Sequence, residues 1–289
     1  MKTKYRFLRF PGGKTKAVTF SYDDGCLADI RFAEMLTSYG MKGTFNVNSA
    51  HVSEGGENIL SVDQIKEHIL SRGHELAVHG YSHKAPASIS PVEAMREVLF
   101  CRLGLERMFD MIIRGMAYPD SGIRRPHNGN DYPTVRSIVE NAGIAYARTL
   151  AGDNDDFTLP SDWFAWMPTI HHDNPCAMEY VDKFISLDIN KRYCSDRWPR
   201  LFYVWGHTYE FDRKNNWDHI QNICERLSGK DDTWYATNIE IYDYVNAYNS
   251  LIISADSTKI YNPTLITVWF HYYNDTYSIA PGETLKIGC

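Results

Sequence analysis

The 289-residue chain lacks most of what would mark a membrane, nucleic-acid or disulfide-built protein. Its apolar runs are short, Leu201–Trp205 being typical, whereas a membrane span needs about 18 apolar residues in a row. It has no basic surplus: 30 Lys and Arg stand against 36 Asp and Glu, and a dedicated nucleic-acid binder would lean the other way. Neither a membrane nor a nucleic acid is therefore expected as a partner. The six cysteines (Cys26, Cys101, Cys176, Cys194, Cys224 and Cys289) form no C-x-x-C pair, so no zinc knuckle or redox motif is visible. So few cysteines in so long a chain suit free thiols better than a disulfide framework. The first 20 residues hold Lys2, Lys4, Arg6, Arg9, Lys14 and Lys16 and no acid, but no apolar core follows them. A secretory signal is not visible, and a cytoplasmic chain is expected. Internal repeats and low-complexity tracts are also missing.

What is present is ordinary globular usage, 44% hydrophobic and 23% charged. Aromatics reach 13%, which suits sugar stacking as well as core packing. Short β-like runs alternate with helical patterns. Ala17–Tyr22, Gly43–Val47, Glu75–Val78, Gly115–Tyr118, Ile144–Arg148, Leu201–Trp205 and Trp234–Ala236 read as strands. Helices are expected from Leu27 to Tyr39, from Ser61 to Arg72, from Ser90 to Phe109, and over Thr134–Asn141, Ala177–Asp188, Trp217–Leu227 and Asn238–Tyr248. Ser61–Gln64 and Ser90–Glu93 carry the Ser-x-x-Gln/Glu pattern that caps a helix start. Repeated βα units imply a parallel sheet covered by helices, and their number suggests an incomplete (β/α) barrel over residues 1–250. After Ser250 only short β-like runs remain, at Ile252–Ser254, Leu265–Tyr272 and Thr276–Ile279. Residues 251–289 read as a small β-rich appendage that packs on the barrel or on a second copy in a homo-oligomer.

Barrels of this kind build their sites where strands end. The first strand ends in Tyr22-Asp23-Asp24-Gly25, the third in His79-Gly80-Tyr81-Ser82-His83, and the Leu201 strand in Gly206-His207. Two carboxylates and three histidines on one rim can hold a metal beside acid–base groups. One carboxylate with two imidazoles leaves a divalent ion positions for water, as a catalytic zinc requires. Each motif alone has a plainer reading, since Asp-Asp-Gly is also a common turn. His74-Glu75 starts like H-E-x-x-H, but His79 follows one position too late and His74 precedes its strand, so His74 reads as structural.

Thr19-Phe20-Ser21-Tyr22-Asp23-Asp24-Gly25 resembles the T-F-D-D-G signature of metal-dependent polysaccharide deacetylases, with two residues inserted. His79-Gly80-Tyr81-Ser82-His83 is similar to their H-[ST]-x-x-H motif, and Gly206-His207 to their late L-x-H motif. The resemblance runs from about Lys16 to His207. It implies a distorted, incomplete (β/α) barrel. It also implies metal ligation by Asp24, His79 and His83, with Asp23 as general base and His207 as general acid. Zinc is the expected ion, with cobalt, nickel or manganese able to substitute, and an acetylated oligo- or polysaccharide is the expected substrate.

The family's R-[PA]-P-Y-G motif has no clear counterpart. Met116-Ala117-Tyr118-Pro119-Asp120-Ser121-Gly122 stands in its place, with Ala117 where the arginine should be. Arg148, at the end of its strand, is the expected substitute. An arginine beside Asp23 would orient the base and lower its pKa. Tyr118, Asp120, Asp162 and Trp163 are further candidates for orienting groups or binding substrate. His171-His172-Asp173 reads as a solvated loop that could instead touch substrate or a second metal, and Glu210, three residues after His207, as an exposed turn acid that could instead orient that region. The expected activity is removal of acetyl groups from an N- or O-acetylated carbohydrate. The alternatives are hydrolysis of a non-sugar C–N bond and non-catalytic carbohydrate binding on the same fold.

Overall fold

The computed structural model describes residues 5–120, 123, 129–150, 154–191 and 197–287; Ser121, Gly122, Cys194 and Cys289 lie outside them. In chain order the strands are β1 (Arg6–Arg9), β2 (Lys16–Asp23), β3 (Gly43–Val47), β4 (Glu75–Val78), β5 (Gly115–Ala117), β6 (Tyr146–Arg148), β7 (Ile170–His171), β8 (Arg200–Gly206) and β9 (Thr233–Tyr235). The tail adds β10 (Ile252–Ile253), β11 (Lys259–Tyr261), β12 (Val268–Tyr272), β13 (Asp275–Ile279) and β14 (Thr284–Lys286).

The main sheet is parallel in the order β6-β5-β4-β3-β2-β8-β7, and β9 pairs with the first half of β2. It curls until its edges meet at a single bridge, Arg148 to Trp166, just before β7. This is the incomplete (β/α) barrel that the βα alternation implies, distorted as the family resemblance implies. The longest covering helix, Pro91–Phe109, starts on the expected capping box of Ser90 and Glu93. The segment after Ser61 is less regular than expected: wide turns over Ile65–Ile69 and a tight turn over Leu70–Arg72 replace a uniform α-helix. Among the described residues no helix is long and apolar enough to cross a membrane.

Strand periodicity decides what fills the barrel. Val18, Phe20, Tyr22, Phe45, Val47, Leu76, Val78, Phe202 and Val204 belong to the core between sheet and helices. The alternate positions face inward, because successive side chains of a strand point to opposite faces. Many are polar and hydrogen-bonded. Thr44 and Tyr146 donate to the Glu75 carboxylate at 2.9 and 2.7 Å, and Thr19 donates to Asn238 Oδ1 at 2.9 Å. The amides of Asn238 and Ile239, at the start of the helix Asn238–Asn249, bond to Thr44 and Glu75. That helix start closes the bottom of the barrel and leaves the strand C-terminal ends as the open mouth.

The tail is more than the three expected strands. It forms two antiparallel three-stranded sheets, β10-β11-β14 and β1-β12-β13. The second takes in β1 from the other end of the chain, with Arg6 opposite Tyr272 and Arg9 opposite Trp269. A four-residue strand beside a basic stretch carries too little pattern to be recognised from sequence.

Candidate active site

Inward alternation brings Asp23, Asn46, His79, Arg148, Trp205 and His207 to the mouth from five strands. Asp24 should point away, being next to Asp23. A positive φ of 81° turns the chain there, and Asp24 lines the same cavity as Asp23. His83 reaches it from a turn in which its own φ is 63°. Glu97 holds that turn, accepting from the Ser82 amide at 2.8 Å and its hydroxyl at 2.6 Å. Asn48 pins the other side through the His79 and Gly80 carbonyls.

His79 Nε2 and His83 Nε2 lie 3.6 and 3.4 Å from Asp24 Oδ1. The other nitrogen of His79 is 3.0 Å from the Ala117 carbonyl, which can only accept, so Nδ1 carries the proton and Nε2 presents its lone pair. Burial drives the His79 pKa down, against the pull of Asp23 and Asp24, and favours the neutral ring a metal needs. Ligands about 2.0–2.2 Å from one ion lie about 3.3 Å apart, so this donor set fits a divalent cation.

Asp23 sits behind that set and is buried. Its Oδ1 accepts from Asn46 Nδ2 at 2.9 Å and its Oδ2 from Arg148 Nη2. The guanidinium is itself fully buried, 4.6 Å from the centre of the Trp205 ring. Burial pushes the Asp23 carboxyl up, but the charges of Arg148, His79 and His207 outweigh it and hold the group below its usual range. His207 Nε2 lies 4.0 Å from Asp23 Oδ2, and its Nδ1 lies 3.3 Å from Glu210 Oε1. Burial would lower the His207 pKa, yet Glu210, Asp23 and Asp24 raise it above the ordinary value. The carboxyl is thus biased toward its ionised form and the imidazole toward its protonated form.

The family model for polysaccharide deacetylases matches residues 3–147, half of the chain. The protein belongs to that family. The sequence matches no curated protein. Solved structures extend the likeness of fold well past the matched segment. A Mycobacterium smegmatis structure assigned as a polysaccharide deacetylase superposes with a TM-score of 0.54 at 15% identity, over 86% of this chain and 96% of its own. A family 4 acetyl xylan esterase from Clostridium thermocellum, solved with a cobalt ion, gives 0.50 at 17% identity, over 78% and 90%. A mutant of a Bacillus anthracis family 4 pseudoenzyme with restored activity gives 0.50 at 16%, over 82% and 70%.

Not every residue singled out from the sequence reaches the mouth of this polysaccharide deacetylase barrel. Tyr118 and Asp120 line the cavity with Asp23, Asp24, His79, His83, Leu150, Trp205, His207 and Tyr209. The Tyr118 hydroxyl is engaged elsewhere, on the Phe164 carbonyl at 3.0 Å. Asp162 and Trp163 stand apart. Asp162 accepts from Tyr132 at 2.5 Å and pairs with Arg136, and it caps the short helix Trp163–Ala165. Trp163 packs edge-on against Trp166 and Tyr242 beneath the sheet seam. Loop aromatics go where apolar contact is greatest, and here that is the lower core.

The reading of His171–Asp173 as a solvated loop is corrected. Ile170 and His171 form β7, and His172 is fully buried, stacked on Tyr22 at 5.6 Å between ring centres. Glu210 is no exposed turn acid either, because its carboxylate lies among His171, His172 and His207. Asn46, Trp205 and Tyr209 were missed in the sequence.

Asp29 lies below Asp23 and Asp24, buried, with Oδ1 accepting from Thr208 at 2.5 Å. Burial, and to a lesser degree the two aspartates, raise its pKa from 3.8 to about 8, against the Thr208 bond. A carboxyl whose folded pKa is raised favours the fold most below its unfolded pKa and loses that contribution as pH climbs to the folded value. Asp29→Asn removes the ionisation, so the fall of melting temperature from pH 4 to 8 should be shallower than in the parent. A slope equal to the parent's would show that Asp29 stays charged in the fold.

Proposed function

We propose that the protein is a metal-dependent hydrolase that removes acetyl groups from an N- or O-acetylated carbohydrate. One observation carries the reading: Asp24, His79 and His83 converge on one point, with the Arg148-paired Asp23 and the Glu210-paired His207 beside it. A divalent ion held by those three side chains, zinc by preference, would acidify a water and polarise the acetyl carbonyl. Asp23 Oδ2, kept ionised by Arg148, takes the proton of the attacking water. Asn46 and Arg148 hold that carboxylate from two sides, so its orientation precedes substrate binding. His207 carries its proton on Nε2 and gives it to the departing amine or alkoxide, while Glu210 holds the ring through Nδ1. No side chain needs to form a covalent intermediate.

The shape of the mouth supports a sugar substrate. The cavity over the site measures about 270 Å³, and a second of about 410 Å³ adjoins it across Asp24, His83 and Tyr209. Together they make a cleft longer than an acetyl group requires. Leu150 and Trp205 supply the apolar wall a methyl group would meet. Acetate release from fragments of acetylated chitin, xylan and peptidoglycan tests the reading. Release from at least one is expected; release from none of them, by metal-loaded protein, overturns it.

The Arg148–Asp23 pair gives a prediction of its own. Lysine at 148 keeps a cation but loses the planar fork that lies on Trp205 and reaches Asp23. The Asp23 pKa should then rise toward its ordinary value. The acidic limb of the pH–rate profile of Arg148→Lys should move to higher pH, while the alkaline limb stays. An unmoved acidic limb would mean that uncharged donors such as Asn46 set the ionisation of Asp23.

A further inference from the structure

A second group of donors lies behind His207 and shares only Glu210 with the site described above. His172 Nε2 is 3.0 Å from Glu210 Oε2 and 3.3 Å from Asp173 Oδ2, and His171 Nε2 is 3.4 Å from Glu210 Oε2. The four donor atoms lie within 4.8 Å of one another. We propose that His172, Asp173 and Glu210, with His171 beside them, form a second divalent-cation site.

Geometry separates this group from an ordinary ion-pair cluster. His172 Nε2 and Glu210 Oε2 are both buried, and neither has a hydrogen-bond partner although they approach each other closely. Two buried donor atoms without a well-formed hydrogen bond, 3.0 Å apart, make an arrangement that an ion would satisfy. The separations of 3.0–3.4 Å match the about 3.3 Å expected around an ion with bonds of 2.0–2.2 Å. A mixed set of imidazole and carboxylate favours zinc-like ions over magnesium or calcium.

The surroundings behave as an outer shell. The Tyr22 hydroxyl lies 3.3 Å from His172 Nδ1, and His219 Nε2 holds the His172 carbonyl at 2.7 Å. Gly206 leaves room for the imidazole: a Cβ there would stand 1.9 Å from His172 Nδ1. His171 is the weakest member. The Asp173 amide donates to its Nδ1 at 3.2 Å, so its Nε2 ligates only if the ring changes tautomer and gives up that bond. Lys214 is the resident competitor, with its half-exposed ammonium on Asp173 Oδ2. An ion at this place must displace it from that oxygen. Glu210 would then be shared, one oxygen on the ion and the other on His207.

Protein stripped with a chelator and reloaded with Co²⁺ tests the site through metal content and the visible Co²⁺ absorption, with no need of substrate. One ion is expected to survive His83→Ala and to vanish when Asp173→Asn is added. Lys214→Met, which touches neither His207 nor the first site, should tighten that ion about tenfold by removing its competitor. Cobalt content unchanged by both Asp173→Asn and His172→Gln overturns the proposal. So does an affinity that Lys214→Met leaves unchanged or weakens. Loss of the first-site ion alone, with the second retained, would count against the proposed function and not against this site.

Discussion

Asp23→Asn and His207→Ala are each expected to lower the rate of acetate release ~10²–10⁴-fold, the usual contribution of a positioned acid or base. The two losses arise differently. Asparagine keeps the shape of Asp23 and can still meet Asn46 and Arg148, but it cannot take a proton. Metal content should therefore hold while turnover falls. Alanine at 207 leaves the leaving group without a donor and frees one oxygen of Glu210. Substrates whose leaving group needs no proton, such as an acetylated phenol of low pKa, should be spared most of the His207 loss and none of the Asp23 loss. Turnover within a few-fold of the parent for either variant would refute the role given to that residue.

Stripping the ion should have the larger effect and take activity to background, because both the water and the carbonyl depend on it. Zinc, cobalt, nickel or manganese should restore the parent protein. Asp24→Ala removes the only carboxylate of the first donor set and should not be restored by any of them at ordinary concentrations. A parent that keeps its activity after the chelator has removed all metal would end the metal-dependent reading, even with the fold and family intact.

The sequence carried the barrel and most of its mouth for a physical reason. Period-2 strands and capped helices are local patterns, and both motif pairs lie at strand ends. Arg148 could be placed because it ends a strand whose neighbours were known. Asn46 left a usable signal, an amide in the short strand Gly-Thr-Phe-Asn-Val, two positions from the inward Thr44. Glu210 left another, three residues beyond His207. The position of His172 had no such signal, since it depends on the space above Gly206 in a distant strand. Asp162 and Trp163 misled because a loop's packing is set by surfaces it meets only after folding. The short strands β7, β11 and β14 have two or three residues each, too few to show any period.

The pairing of β1 with β12 ties the start of the described chain to its tail in one small sheet, while the last strand, β14, lies in the other. Leu8 and Phe10 share a core with Leu201 and Tyr203 from the barrel and with Val268, Phe270 and Ile279 from the tail. The appendage is therefore not a piece that can be cut away at Ser250 to leave a tidy enzyme. Such a cut would strip β1 of its only strand partner among the described residues and bare the apolar underside of the barrel, an invitation to aggregate. Any trimming of this chain should therefore spare the Val268–Ile279 hairpin, the clasp that closes on β1.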